Sequence, residues 1–197
     1  MRGSTVGVVS RTQNDRSGLN PGGGSSVLGS VNDAEASDFC DRIGPRLVGA
    51  LTLTCGDRGV AEELAQDTLV RVWERWPQVR RMDSPEGWAF RTAFNLAGSW
   101  RRRRGAEHRA NRRSLPSEAA DPTLGLAEVE TVRRAVSHLP ERQRAVVVAR
   151  FYLGYDVAGT AAVLGCAPGT VKAATHQALA NLRAAGLTAD LPEEVEA

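Results

Sequence analysis

The sequence predicts an all-α protein built as two small helical domains joined by a flexible linker. Three observations carry this. Apolar residues recur at helical spacing through residues 38–104 and again through 128–186, and strand-like alternation is absent. Between them, residues 105–127 lose the period and gain Pro116, Asp121-Pro122 and Gly125. The 197 residues, 42% hydrophobic and 24% charged, sit within globular bounds, and no apolar run approaches the ~20 residues of a membrane span.

Residues 1–37 are rich in Gly, Ser and Asn, with Gly22-Gly23-Gly24-Ser25-Ser26 at their centre, and read as a disordered tail. Phe39, Ile43, Leu47 and Leu51, spaced by four, predict a first helix with Gly44-Pro45 as a candidate break or kink. After a turn at 55–59 comes the clearest helix. Val60, Leu64, Thr68/Leu69, Val72/Trp73 and Trp76 form its apolar stripe, Glu62, Glu63, Gln66, Asp67, Val70 and Glu74 lie away from it, and Pro77 ends it. A basic loop, 77–84, leads to Ser84 as N-cap, Pro85 at the first helical position and Glu86 in the first turn. The helix from 85 runs to about 104 with Ala89, Ala93, Leu96/Ala97 and Trp100 toward a core. Trp88, Arg91, Asn95, Ser99 and Arg102 share another stripe, which runs into Arg101-Arg102-Arg103-Arg104.

In the second unit, Val129, Val132, Val136 and Leu139 make one helix and Pro140 opens the next, with the Val146–Leu153 apolar run. Asp156 caps a short helix ending at Leu164-Gly165. Pro168 opens a last helix with Val171, Thr175, Ala178 and Leu182 on one side, and an acidic tail, 187–197, completes the chain.

Whole-chain charge is only +2, but residues 71–113 hold twelve basic and four acidic side chains, an excess of +8 that points to a polyanionic partner for that stretch. Other classes drop out. Cys40, Cys55 and Cys166 are widely spaced, with no CxxC and no His at ligand spacing, so neither a zinc site nor a disulfide framework is expected, and a cytoplasmic location is the default. The N-terminus lacks the apolar core of a signal peptide. With three His, no Gly-rich phosphate loop and no nucleophile elbow, the chain reads as a non-enzyme without metal or cofactor.

Two constellations remain. Ala161, Gly165 four residues later and Val171 six after that form a helix-turn-helix signature: a small residue for close crossing, a Gly for the turn, an apolar anchor for the second helix. That second helix offers Thr170, Lys172, Ala173, His176, Gln177 and Asn181 outward, as a major-groove reader would. A generic helical hairpin explains the signature alone equally well. In the first unit, a stripe of Trp, Arg and Asn running into four Arg suits phosphates plus an unstacked base. Taken singly, the Arg run is a dipole-complementing helix end, Trp88 a core residue and Gln66/Asp67 wet surface; their order and spacing together lift them above those readings.

Ala61-Glu62-Glu63-Leu64-Ala65-Gln66-Asp67-Thr68-Leu69-Val70-Arg71-Val72-Trp73 resembles the region 2.1–2.2 helix of group IV (extracytoplasmic-function, ECF) sigma factors. Trp88 to Leu96, continuing to Ser99-Trp100-Arg101-Arg102-Arg103, is similar to their regions 2.3–2.4. Leu139-Pro140-Glu141-Arg142-Gln143-Arg144, with Gly165 and Gly169-Thr170-Val171-Lys172, resembles regions 4.1–4.2. The match spans roughly residues 38–186 in the family's order.

The resemblance implies a dissociable specificity subunit of RNA polymerase. Glu63, Gln66, Asp67, Leu69 and Trp73 would dock on the clamp helices of the largest core subunit, with the flap region as a second contact. The loop 78–84, with Arg80 and Arg81, and the face of Trp88, Arg91, Asn95 and Ser99 with Arg101, Arg102 and Arg103 would capture unpaired −10 bases. The linker would thread toward the RNA exit path, and Thr170, Lys172, Ala173, His176 and Gln177 would read the −35 element. A regulator, where there is one, would be a separate anti-sigma factor. The competing reading is a stand-alone helix-turn-helix regulator of duplex DNA, which leaves the Glu62–Arg104 pattern without a purpose.

The sequence departs from the family in two places. After Val171-Lys172 the family continues with Ser and Arg, where this chain has Ala173, Ala174, Thr175, His176 and Gln177, and residues 128–197 carry a net charge of −1. Phe94 and Ser99 stand where Arg and Asp are common, which is similar to an actinobacterial, SigE-like subgroup.

Overall fold

The structure, a computed structural model, describes residues 24–110 and 127–187. The first unit comprises α1 (Gly24–Cys55), α2 (Arg58–Glu74), α3 (Trp76–Val79) and α4 (Pro85–Ala110). The second comprises α5 (Ala127–His138), α6 (Glu141–Val147) with a π-helical turn (Val148–Tyr152), α7 (Val157–Leu164) and α8 (Pro168–Ala184). Among the described residues there is no β-strand.

The stripe on α1 is core: Phe39, Ile43, Leu47 and Leu51 are all buried, against Leu64 and Val72 of α2, Val79 of α3 and Phe90 of α4. Trp76 closes one end, its ring 5.0 Å from that of Phe39. The caps expected at Ser84 and Asp156 form, and Asp57, in the segment read as a turn, caps α2 as well. The Val60 amide donates to Asp57 Oδ1 at 3.0 Å, that of Gly87 to Ser84 Oγ at 3.0 Å, and that of Gly159 to Asp156 Oδ1 at 2.6 Å. Each satisfies a first-turn N–H, a contribution of about 1 kcal/mol.

Several boundaries move. α1 starts at Gly24, inside the segment read as a tail, and Ala36 is buried in the first unit's core; the remainder, 1–23, lies outside the described residues. Helix continues through Pro45, because Ile43 and Leu47 on either side are both buried and tertiary packing outweighs the bond that Pro cannot make. Part of the loop 77–84 is helical, with Pro77 in the first turn of α3 rather than after a helix end. α4 extends to Ala110, so the first residues assigned to the linker are helical; 111–126, and the acidic tail from 188, lie outside the described residues. Val132, expected on an apolar stripe, is 45% exposed.

The two units share a core. Val148, Leu153 and Val163 of the second unit are buried in the same cluster as Phe90 and Leu51, and the Tyr155 ring meets Phe90 edge-on at 6.2 Å. At the centre of the junction sits Arg144, only 6% exposed. Its Nη1 donates to the Thr54 carbonyl at 2.9 Å, and its Nη2 to the Leu139 carbonyl at 2.9 Å and to that of Ser137. Thr54 lies in the last turn of α1, where unsatisfied carbonyls carry partial negative charge, and it also accepts from Arg101 Nη1 at 3.2 Å. Burial pulls the Arg144 pKa down to about 10, so the group stays charged at neutral pH.

Arg144→Met removes the charge, takes this donor from the Leu139 and Ser137 carbonyls and leaves that of Thr54 to Arg101 alone, so unfolding free energy is expected to fall by about 3 kcal/mol, checked by denaturant titration. Beside this junction, burial pushes the Cys55 thiol from 9.0 up to about 11, only partly opposed by Arg101 and Arg144. The folded chain therefore holds this proton while the unfolded chain releases it. The resulting stabilisation is complete below pH 9 and is lost as pH rises toward 11. Burial raises the Cys40 and Tyr155 pKa values in the same direction. Arg144 opposes the trend only above about pH 10, where the folded state begins to lose its proton first. Stability is expected to decline as pH rises from about 9 to 10, and Cys55→Ala to flatten that decline.

Candidate nucleic-acid interface

The stripe on α4 becomes one wall of a groove of about 750 Å3 between α2 and α4. Trp88, Asn95, Ser99, Arg102 and Arg103 line it from α4. Trp88 is half-buried with its indole against the core, and Asn95 is exposed. Arg102 Nη2 donates to Ser99 Oγ at 3.0 Å, which fixes one guanidinium along the wall. From the facing helix come Asp67 and Arg71, one turn apart, followed by Arg75 at its C-cap. The groove thus holds four guanidinium groups against one carboxylate, with an aromatic ring and an amide between them. Cations for phosphates beside a π-face and a hydrogen-bonding edge suit a single strand with an unstacked base.

The other residues expected on this face are placed elsewhere. Arg91 Nη1 donates to the Ala162 carbonyl of α7 at 3.3 Å, and Arg101 is held by Thr54. Arg80 pairs with Glu35 Oε2 at 3.0 Å and hydrogen-bonds Asn32 Oδ1, both on the unforeseen first half of α1. Arg81 is exposed beyond α3, outside the groove.

A second face lies on α2. Glu63, Gln66 and Asp67 are exposed and Trp73 is 46% exposed. Leu69 departs from the expectation: it is half-buried, packed toward α1, with its Cδ1 3.6 Å from the position a Gly44 Cβ would take. Val70, 56% exposed between Gln66 and Trp73, takes its place. An apolar side chain on a polar face was the signal for it.

The third face is α8. α7 and α8 meet at 103°, within the helix-turn-helix range of about 90–120°. Gly165 turns between them at φ 65°, where a Cβ would be strained and would lie 3.4 Å from Arg91 Nη2. Ala161 and Val171 are buried in one cluster, as the signature requires. Val171, Thr175, Ala178 and Leu182 point inward; Lys172, Ala173, His176 and Gln177 are exposed, and Thr170 is half-buried. Gln143 of α6 donates to Gln177 Oε1 at 3.4 Å and accepts from Asn181 Nδ2 at 2.8 Å, which ties the recognition face to the helix behind it.

Residues 39–107 match the family model for sigma-70 region 2, and residues 130–182 that for sigma-70 region 4. The chain is 32% identical over 131 residues to the RNA polymerase sigma-E factor of Streptomyces antibioticus, covering 66% of this chain and 73% of that one. It is 31% identical over 139 residues to the ECF RNA polymerase sigma factor SigL of Mycobacterium tuberculosis, covering 68% and 78%. The fold is similar to that of the sigma factor RpoE of Bartonella quintana, solved with the anti-sigma factor NepR. The TM-score is 0.67 at 26% identity, over 78% of this chain and 99% of that one. Fold and matched regions together define a transcription initiation factor that acts with RNA polymerase. Within that class, the chain belongs to the sigma-70 family, in its extracytoplasmic-function group.

Proposed function

We propose that the α2–α4 groove captures unpaired bases of the −10 element while the exposed face of α2 docks on the clamp helices of the largest polymerase subunit. The groove carries this reading, because it brings Trp88, Asn95, Arg102 and Arg103 to one cavity. Opening is driven by binding: extruding a base costs a few kcal/mol, offset by stacking and phosphate contacts, with no covalent step. Glu63, Gln66, Asp67, Val70 and Trp73 form the docking face, mixed apolar and acidic, which suits a partner surface with cations around an apolar centre. Arg91 and Arg101 exchange the Ala162 and Thr54 carbonyls for phosphate oxygens when DNA arrives, and charge-assisted bonds are the stronger. α8 reads the −35 element, with Lys172 on phosphate and His176 and Gln177 on base edges. The linker runs past the flap toward the RNA exit path. The work takes place in the cytoplasm, under a separate anti-sigma factor where one exists.

With one Lys and no Arg on the exposed face at 170–177, α8 is expected to contribute a salt slope of about 1 to duplex binding. The reading as a whole is tested by mixing the purified chain with core polymerase and measuring assembly by size-exclusion chromatography. A stoichiometric complex supports it; free chain beside free core would return weight to a regulator acting alone on duplex DNA.

A further inference from the structure

We infer that Arg71 of α2 and Arg75, which caps the end of that helix, are phosphate ligands for the single-stranded DNA whose bases enter the groove, so that the strand is gripped from both walls. The inference rests on the reading of the groove as a single-strand site and adds to it a second helix. Arg71, on the face of α2 that lines the cavity, and Arg75, at its C-cap, lie opposite Arg102 and Arg103. Both are exposed, and among the described residues neither makes an ion pair, although Asp67 stands one turn from Arg71 and Glu74 is adjacent to Arg75. Three other arginines of this unit do pair with carboxylates: Arg46 with Glu86, Arg58 with Glu62, Arg80 with Glu35. An arginine pair left unneutralised across a groove from two more cations raises the local potential for an anion between the walls.

The shape selects the anion. The cavity lies within the about 300–1,000 Å3 range of ligand sites, and its floor offers the Trp88 indole and the Asn95 amide. Paired bases present neither a free π-face nor a free pairing edge, so duplex DNA leaves both groups unused, whereas a single strand meets them while its backbone lies along the cations. Asp67, at the end of the α2 row, repels phosphate, so the backbone path stops at Arg71 and the space beside Asp67 is left to a base.

The test uses the full chain assembled with core polymerase and a fluorescein-labelled, random-sequence 12-nucleotide single-stranded DNA, with anisotropy followed across salt concentrations. For single strands each phosphate contact adds about 0.7 to the slope of log affinity against log salt, so Arg71→Ala with Arg75→Ala is expected to lower the slope by about 1.4. Arg71→Lys with Arg75→Lys is expected to keep it. Asn95→Ala run in parallel separates the two layers. If Asn95→Ala weakens binding but the double Ala variant leaves the slope unchanged, the α2 inference is overturned and the groove reading stands. If neither variant changes binding, the groove reading itself falls. Loss of core assembly in the double Ala variant would place these arginines in the polymerase interface and overturn the inference.

Discussion

Holoenzyme carrying Asn95→Ala is expected to bind promoter duplex yet to form open complexes at least about tenfold less than wild type. Asn95 is exposed in the groove, so truncation removes the amide proposed to meet a base and leaves the core untouched. Trp88→Ala should show a larger loss, since stacking a base on an aromatic ring is worth about 1–3 kcal/mol and about 1.4 kcal/mol is a factor of ten. Trp88 also packs against the core, so part of its effect is structural; Trp88→Phe keeps a ring and should restore most of the opening. Permanganate footprinting of promoter thymines is the measurement. Wild-type reactivity in the Asn95→Ala and Trp88→Ala holoenzymes would remove the base-capture role, whatever their core affinity.

The second large effect concerns polymerase. Asp67→Arg combined with Gln66→Ala is expected to weaken core binding by about 100-fold or more, because like charges brought together at an interface cost several kcal/mol. Both side chains are exposed, so helicity by circular dichroism should be unchanged. Asp67 also borders the groove, which makes a second variant informative: Glu63→Arg lies on the docking face and outside the groove, and should cost core affinity without altering single-strand binding. Core affinity unchanged in both variants, measured by competition for labelled core, would remove the docking assignment.

Local interactions were legible in the sequence, and interactions between distant segments were not. The period of Phe39, Ile43, Leu47 and Leu51, the caps at Ser84 and Asp156 and the Gly165 turn each depend on residues a few positions apart, and all form. The N-terminal half of α1 has no such signal. It is helical from Gly24 as a continuation of the strongly packed half of α1, and Glu35 within it pairs with Arg80 across the chain. Pro45 failed as a breaker for the same reason. In the groove, the α4 wall was legible as a stripe on one helix. The α2 wall was not, because the periodicity of a single helix says which residues share a face but not which helix that face meets. Arg144 shows the limit most clearly. The sequence marks Arg144 only as the last residue of the Leu139–Arg144 motif, and only the meeting of α1 with the second unit makes it a buried donor to three carbonyls.

As a sigma factor, this chain gives core polymerase its promoters. Run-off transcription with purified chain and core RNA polymerase on fragmented genomic DNA of the source organism, with the 5′ ends sequenced, tests it most directly. Discrete new start sites preceded by shared −10 and −35 elements are expected, and they disappear with Asn95→Ala. A pattern of starts identical to that of core polymerase alone would contradict it.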